Sequence, residues 1–187
     1  MTTPTDIDDS LTRADEQHFT RSIPKSPQAR MRFLVKAAKS TKVAAQLLGV
    51  SPRTVERYVK GQIRTPRPEL AARLEAEVRR RWQPLVRKRA RNKAARTTGL
   101  VIETRARFGF TAAPGTTDDG RMRRITQHLP PEYASRLFAA QDSGASEAQL
   151  RSIAAEGLQE VYFKDNGARA TSLLVEFTDI DYVDFAF

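Results

Sequence analysis

The sequence contains no cysteine, two histidines and a single tryptophan in 187 residues. Without cysteine the chain has neither a disulfide framework nor a thiolate metal site, and His18 and His128 do not by themselves build a zinc centre. No apolar run approaches the length of a membrane span, and the acidic start MTTPTDIDDS lacks the pattern of a secretion signal. These absences predict a cytoplasmic protein with no membrane partner and no metal or cofactor of its own.

Acidic residues are scarce in the first half of the chain. Residues 1–100 contain 23 Lys and Arg against 9 Asp and Glu, whereas residues 101–187 contain 9 against 13. A basic excess of this size is typical of a domain that binds a polyanion. The length allows two small domains, and we place their boundary near residue 97. Residues 1–18 have few apolar side chains and no periodicity, so we expect a flexible arm there.

The segment Thr41–Lys60, TKVAAQLLGVSPRTVERYVK, has the pattern of a helix-turn-helix. Ala45 and Gly49 supply the small residue and the positive φ that two closely packed helices need where they meet. Thr41 is a candidate cap for the first helix, and Ser51, followed by proline, predicts the start of the second. The segment therefore predicts a DNA-binding domain.

The outer face of the second helix would point toward a DNA major groove. We expect Arg53 and Arg57 to contribute most to DNA binding. The alternative is an ordinary helical hairpin with a charged solvent face, because alanine, glycine and apolar spacings recur by chance in helical proteins. The predicted DNA-binding residues of this region are Ser51, Arg53, Thr54, Arg57, Lys60 and, in the connector that follows, Arg64.

A second concentration of positive charge follows a predicted helix over residues 69–82. The segment LVRKRARNKAAR, residues 85–96, carries six basic residues and no acid. A nucleic-acid backbone, an acidic membrane surface and a solvated helical face are the three interpretations of such a run. Its position after the helix-turn-helix favours the first, with phosphate contacts from Arg87, Lys88, Arg89 and Arg91.

From residue 99 the pattern becomes that of a small α+β domain. GLVIETRARFGF alternates apolar and polar residues, and RMRRITQHL predicts a second strand after a loop over residues 111–120. Two prolines at 130–131 and a capping box of Ser146 with Gln149 predict two helices. The tail LLVEFTDIDYVDFAF predicts a third strand with a bulge near Asp179. The predicted fold is therefore α+β: an all-α helix-turn-helix domain over residues 19–97, then a three-stranded sheet with two helices over residues 98–187.

The loop over residues 111–120 contains two adjacent hydroxyl groups, on Thr116 and Thr117, followed by Asp118 and Asp119. Threonine and aspartate both form hydrogen-bonded turns, so a plain hairpin turn is the simplest interpretation of the loop by itself. No histidine or lysine lies within sequence reach to deprotonate a threonine, which argues against nucleophilic catalysis by this segment alone.

Eight segments taken together identify a family. They are FTRSIPKS, SPRTVERYVK, PRPELAARLE, RRRWQP, TRARFGFTA, PGTTD, LPPEYASRLF and VYFKD. In combination they resemble the Tpg-type terminal proteins that cap the linear chromosomes and plasmids of streptomycetes, from about residue 19 to the C-terminus. The resemblance implies a protein that binds the ends of a linear replicon and primes terminal DNA synthesis. It also implies that a threonine hydroxyl of the GTTD segment, that of Thr117 with Thr116 as the second candidate, becomes covalently linked to the 5′ DNA end.

The resemblance also implies partners: telomeric DNA, a DNA polymerase and a telomere-associated recruiting protein, with the chain associated with the nucleoid. Divalent metal and deoxynucleotide would come through the polymerase, because threonine is a weak nucleophile at neutral pH. The chain would thus be a protein primer, not an enzyme. Two alternatives stay open. One is a helix-turn-helix transcriptional regulator whose second domain dimerises or senses a ligand; the other is an enzyme with its own nucleotidyltransferase or polymerase activity.

Overall fold

The computed structural model describes residues 4–111, 122–164 and 174–187. Over these residues the chain combines eight α-helices with a three-stranded antiparallel sheet, which confirms the predicted α+β class. It divides into two compact units, Thr20–Pro84, called here the helical unit, and Met1–Phe19 with Leu85–Phe187, called the sheet unit. The elements are α1 (Ile7–Gln17), α2 (Pro27–Ala38), α3 (Thr41–Leu48), α4 (Pro52–Val59), α5 (Pro68–Arg81), α6 (Pro84–Lys93), β1 (Leu100–Thr111), β2 (Met122–Leu129), α7 (Pro131–Asp142), α8 (Glu147–Leu158) and β3 (Leu174–Ala186).

The helical unit forms around one apolar core to which α2, α3, α4 and α5 all contribute. Each helix has apolar residues three and four positions apart, which places them on one side of the helix. Leu34 of α2, Leu48 of α3 and Leu74 of α5 are all less than 2% exposed. The buried residues of this core are Met31, Leu34, Ala44, Ala45, Leu48, Val55, Tyr58, Leu74 and Val78.

The sheet of the sheet unit has the order β2-β1-β3, with β1 antiparallel to both neighbours. Side chains alternate along β1, so that Ile102 and Phe108 are buried against the helices while Arg105 and Arg107 are exposed on the other face. The predicted bulge is confirmed, because the register between β1 and β3 shifts on either side of Asp179. A single π-helical turn, Ala94–Thr98, connects α6 to β1.

The two helices predicted between the second and third strands are confirmed as α7 and α8. The predicted capping box opens α8: the Gln149 N–H donates to Ser146 Oγ at 3.4 Å, and the Ser146 N–H donates to Gln149 Oε1 at 2.8 Å. Leu137 of α7 and Leu158 of α8 are fully buried in the core beneath the sheet.

The N-terminal segment differs from the flexible arm expected over residues 1–18. Residues Ile7–Gln17 form α1, and Ile7, Leu11 and Ala14 are fully buried in the core of the sheet unit. The Pro4 carbonyl accepts a hydrogen bond from the Val183 N–H of β3 at 2.9 Å. The expected domain boundary near residue 97 is also corrected, since the sheet unit begins again at residue 85.

We predict that Leu11→Ala lowers the free energy of unfolding by about 2–5 kcal/mol, the usual result of truncating a leucine in a packed core. Equilibrium unfolding in urea measures the change. Gln17→Ala on the exposed side of the same helix is the matched control, with an expected change within about 0.5 kcal/mol. If both variants unfold at the wild-type urea concentration, α1 is not part of the folded core.

Candidate nucleic-acid interface

A tight turn at Gly49 joins α3 to α4. Gly49 has a φ of 66°, in the left-handed region. The N–H groups of Gly49 and Val50 donate to the carbonyls of Gln46 and Ala45 at 3.2 and 3.0 Å, which closes the end of α3. A Cβ at position 49 would lie 2.9 Å from a guanidinium nitrogen of Arg73. The positive φ predicted for this glycine is confirmed, and a larger residue would be both strained and crowded there.

Serine side chains fix the first turn of both helices. Ser51 Oγ accepts a hydrogen bond from the Thr54 N–H at 3.2 Å, which confirms the predicted cap of α4. In α3 the cap is Ser40, whose Oγ accepts from the N–H groups of Lys42 and Val43, and not Thr41, which is already the first helical residue. Because an N-cap serine stabilises a helix start, both ends of the connection are held by local hydrogen bonds.

The two sides of α4 differ in exposure. Val55 and Tyr58 are buried in the core of the helical unit. Arg53, Arg57 and Lys60 are exposed and follow one another at helical spacing, which places them on a common side of the helix. No described residue forms an ion pair with any of these three cations. The predicted contact residues of α4 thus form a cationic surface that faces solvent.

The other predicted contacts of the helical unit have different environments. The hydroxyl groups of Ser51 and Thr54 are 2.9 Å apart and hydrogen-bonded to each other, so both take part in the helix start. Thr54 is half-buried, whereas Ser51 is exposed. Arg64 is exposed in the connector between α4 and α5 and has no acidic partner among the described residues.

Ion pairs occupy all four arginines of α5 and leave the rest of the helical unit strongly basic. The unit contains 16 Lys and Arg against 4 Asp and Glu. Three of the four acids, Glu69, Glu75 and Glu77, lie on α5 and pair with arginines there or, for Glu75, also with Arg30 of α2. The cations with no acidic partner in the described part of the chain are Arg21, Lys25, Arg32, Lys36, Lys39, Lys42, Arg53, Arg57, Lys60, Arg64 and Arg67.

The predicted phosphate contacts on α6 divide into two kinds. Lys88 and Arg89 are exposed. Arg87 and Arg91 instead bind Asp15 of α1, at 3.1 and 2.7 Å, and the Asp15 side chain is only 1% exposed. Burial lowers the pKa of the Arg87 guanidinium, while the Asp15 carboxylate opposes that change. Arg87 and Arg91 are therefore already paired with a carboxylate inside the sheet unit, and their predicted contact with phosphate stays a prediction.

The Arg91 guanidinium lies at the centre of a polar network within the sheet unit. It donates to both carboxylate oxygens of Asp15, at 2.9 and 2.7 Å, and to Asp142 at 3.0 Å. It also lies 4.8 Å from the ring centre of Phe138. A buried charge needs this degree of pairing, since desolvation would otherwise outweigh its other interactions. The partners of Arg91 are 51 and 76 residues away in sequence, which is why the local charge pattern did not reveal them.

A smaller polar group lies on the exposed face of the sheet. The Glu103 carboxylate accepts from the Arg124 guanidinium at 2.7 Å and from the Tyr182 hydroxyl at 3.0 Å. These two hydrogen bonds hold the pKa of Glu103 below its usual value. Desolvation and the hydrogen bond to Glu103 raise the pKa of the Tyr182 phenol. The alternation of apolar and polar residues along β1 predicted an exposed face of the sheet, but it gave no indication of a function for that face.

The candidate attachment residues, Thr116 and Thr117, lie outside the described residues, as does the rest of the stretch over residues 112–121. Thr116 follows the last residue of β1, Thr111, by five positions, and Thr117 precedes the first residue of β2, Met122, by five.

Comparison of the chain with protein-family models, with curated proteins and with solved structures gives no match. In the described ranges, no helix has the length and apolar character needed to cross a membrane. The same residues bring together no group of three or more His, Asp or Glu side chains that could hold a metal ion.

We predict that Asp15→Asn lowers the free energy of unfolding by about 3–5 kcal/mol, because the buried Arg91 charge loses its main carboxylate partner. Asp9→Asn is the matched control on the same helix, since Asp9 is 46% exposed and pairs with Arg13. Its expected change is below about 1 kcal/mol. Denaturant unfolding measures both variants, and equal, small changes would contradict the structural role of Asp15.

Proposed function

We propose that this chain is a telomere terminal protein that binds the ends of a linear replicon and primes terminal DNA synthesis from a threonine hydroxyl. The observation that carries DNA binding is a row of exposed cations, Arg53 and Arg57 on α4 and Lys60 at its C-terminal cap, which have no acidic partner among the described residues and lie in a unit with a large basic excess. The telomeric role is supported by the combined resemblance to Tpg-type terminal proteins, which extends through both units.

The arrangement of α3 and α4 supports a helix-turn-helix. In such a motif the second helix enters the major groove, and residues near its N-terminus contact base edges. Arg53 lies in the first turn of α4, where its guanidinium would donate to the O6 and N7 acceptors of a guanine. Arg57 and Lys60, further along the same side, would contact bases or phosphates. The Ser51 cap would keep the helix start rigid while these contacts form.

The other unpaired cations of the helical unit would supply affinity that does not depend on sequence. Each phosphate that a Lys or Arg neutralises releases condensed counterions, so such contacts strengthen binding most at low salt. Lys88 and Arg89 of α6 are exposed and belong to this group. Arg87 and Arg91 are left out of this group, because both are ion-paired with the buried Asp15.

Priming would proceed by attack of the Thr117 Oγ on the α-phosphorus of a deoxynucleoside triphosphate. The bond from Oγ to phosphorus forms, the bond from phosphorus to pyrophosphate breaks, and the hydroxyl proton passes to a base in the polymerase. The divalent metal of the polymerase would stabilise the developing charge. The 3′ hydroxyl of the attached nucleotide then replaces the primer end that a linear duplex lacks.

The recruiting protein is a further proposed partner. Strand β3 carries Glu176, Asp179, Asp181 and Asp184 and no basic residue. An acidic strand at the edge of a sheet protects against aggregation and also offers a surface for a basic partner. We assign this strand to the recruiting protein as a docking surface.

We predict that the double substitution Arg53→Gln with Arg57→Gln weakens binding to telomeric duplex DNA by at least about 30-fold, since each good base contact contributes about 1–3 kcal/mol. Fluorescence anisotropy at a fixed salt concentration measures the affinity. The matched control is Arg79→Gln with Arg80→Gln, which removes the same charge from α5, where both arginines are ion-paired. Equal losses in the two double variants would show that net charge alone matters, and would contradict a specific role for α4.

We predict that protein purified from its native cell carries a nucleotide on Thr117 after nuclease trimming, and that Thr117→Ala abolishes this adduct. Mass spectrometry of the trimmed protein detects the added mass. Thr116→Ala is the matched control and should keep the adduct, and Thr117→Ser should keep a part of it because the hydroxyl remains. Finding only unmodified chains on genuine terminal DNA would refute priming, and binding to a pseudo-palindromic operator would then indicate a transcriptional regulator.

A further inference from the structure

One face of the sheet carries no covering helix among the described residues. The buried side chains of β1, Ile102 and Phe108 among them, all point into the core that holds α1, α7 and α8. On the opposite face Val101 is 37% exposed and the Arg124 side chain 72%. The face is therefore open to a binding partner.

Three arginines gather on the half of this face that leads toward residues 112–121. Arg105 of β1 and Arg124 of β2 are directly opposite each other in the ladder, and Arg107 is the next residue on that side of β1. Like charges placed opposite each other weaken strand pairing, so sheet stability alone does not favour this arrangement. The three guanidinium groups lie together on a unit that has more acids than bases, 18 against 16, and those of Arg105 and Arg124 are ion-paired with neighbouring acids.

The acidic partners of these arginines are easily exchanged. Arg105 pairs with Asp181 at 2.9 Å and Arg124 with Glu103 at 2.7 Å, and the four side chains are between 39% and 72% exposed. Exposed ion pairs of this kind contribute little to stability, so an incoming phosphate can replace the carboxylate. Arg107 is exposed and has no acidic partner in the described part of the chain.

An aromatic ring lies beside these arginines on the same face of the sheet. Tyr182 of β3 is the partner of Arg105 on its other side, so Arg124, Arg105 and Tyr182 lie side by side across the three strands. Sheets that bind single-stranded nucleic acid combine these two features, cations for the backbone and an aromatic ring on which an unpaired base stacks. Double-stranded DNA offers no free base face, so the combination favours a single strand.

We propose that the open face of the sheet binds single-stranded DNA, with Arg105, Arg107 and Arg124 on its phosphates and Tyr182 against a base. This inference rests on the proposed priming function and names the DNA form that the sheet unit holds. The strand to be copied has to lie beside the priming hydroxyl, and Thr117 precedes Met122, the partner of Arg107 in the ladder, by five positions in sequence. The acids of β3 direct the backbone of the DNA toward the β1–β2 side of the face.

The test uses the full-length protein with DNA as its only partner. Fluorescence anisotropy compares a labelled oligothymidine of about 12 nucleotides, within the range of known single-strand sites, with blunt duplex DNA. Arg107→Gln with Arg124→Gln should bind the oligothymidine at least about tenfold more weakly and lower its logarithmic salt slope by about 1.4, as expected for two lost phosphate contacts. Duplex affinity should stay unchanged.

Further variants test whether oligothymidine binding depends on this face of the sheet and on the ring of Tyr182. Arg13→Gln with Arg136→Gln removes the same charge from the sheet unit away from this face, on α1 and α7, and should bind the oligothymidine as the wild type does. Tyr182→Leu should lower the affinity at least about fivefold, the lower end of the range for a base stacked on an aromatic ring. Tyr182→Phe keeps the ring and should retain the affinity, although it loses the hydrogen bond to Glu103.

The Arg53→Gln with Arg57→Gln variant separates this inference from the proposed function. That variant should lose duplex binding and keep oligothymidine binding, so either surface can fail without the other. The inference is overturned if the wild type does not bind the oligothymidine, or if Arg107→Gln with Arg124→Gln binds it as tightly as the control pair does. A face that docks a protein such as the polymerase would give that second result, because no other protein is in the assay.

Discussion

The buried carboxylate of Asp15 removes Arg87 and Arg91 from the positive charges of the chain that face solvent. A carboxylate that is almost fully removed from water requires paired charge, and Arg87 and Arg91 supply it. This interaction joins α1 to α6. It pairs two arginines of a segment, residues 85–96, that contains six basic residues and no acid. The excess of positive charge that remains is concentrated in the helical unit, 16 bases against 4 acids, where the arginines of α5 are ion-paired and, among the described residues, those of α4 have no acidic partner.

Features set by a few neighbouring residues could be predicted from the sequence. The positive φ at Gly49, the Ser51 cap and the box of Ser146 with Gln149 each depend on side chains no more than three positions apart, and all three are confirmed. The strand alternation and the bulge near Asp179 are confirmed for the same reason. The cap of α3 was displaced by one residue because a serine and a threonine follow each other there, and sequence alone does not rank them.

Features set by distant contacts could not be predicted. The buried side of α1 includes Ser10 and Asp15 beside its apolar residues, so the helix lacks the clear apolar pattern by which a core helix is recognised. A run of basic residues likewise does not show which cations have acidic partners, and Arg91 finds its own 76 residues away. In the candidate site, the exposure of Arg53, Arg57 and Lys60 agrees with the sequence prediction. The attachment of DNA to Thr117 remains a prediction, since that residue lies outside the described part of the chain.

The two proposed DNA surfaces together would account for selection of a terminus. Internal duplex DNA would engage only the helical unit, whereas a terminus that presents duplex and single strand together would engage both units. Because the two units are parts of one chain, binding of the first raises the effective concentration of the second, so neither surface needs high affinity by itself. The same tether would hold the strand end near the threonine hydroxyl, and proximity of this kind offsets the weakness of threonine as a nucleophile. Specificity for the terminus and positioning for priming would then have a single physical origin, the covalent link between a surface for duplex and a surface for single strand.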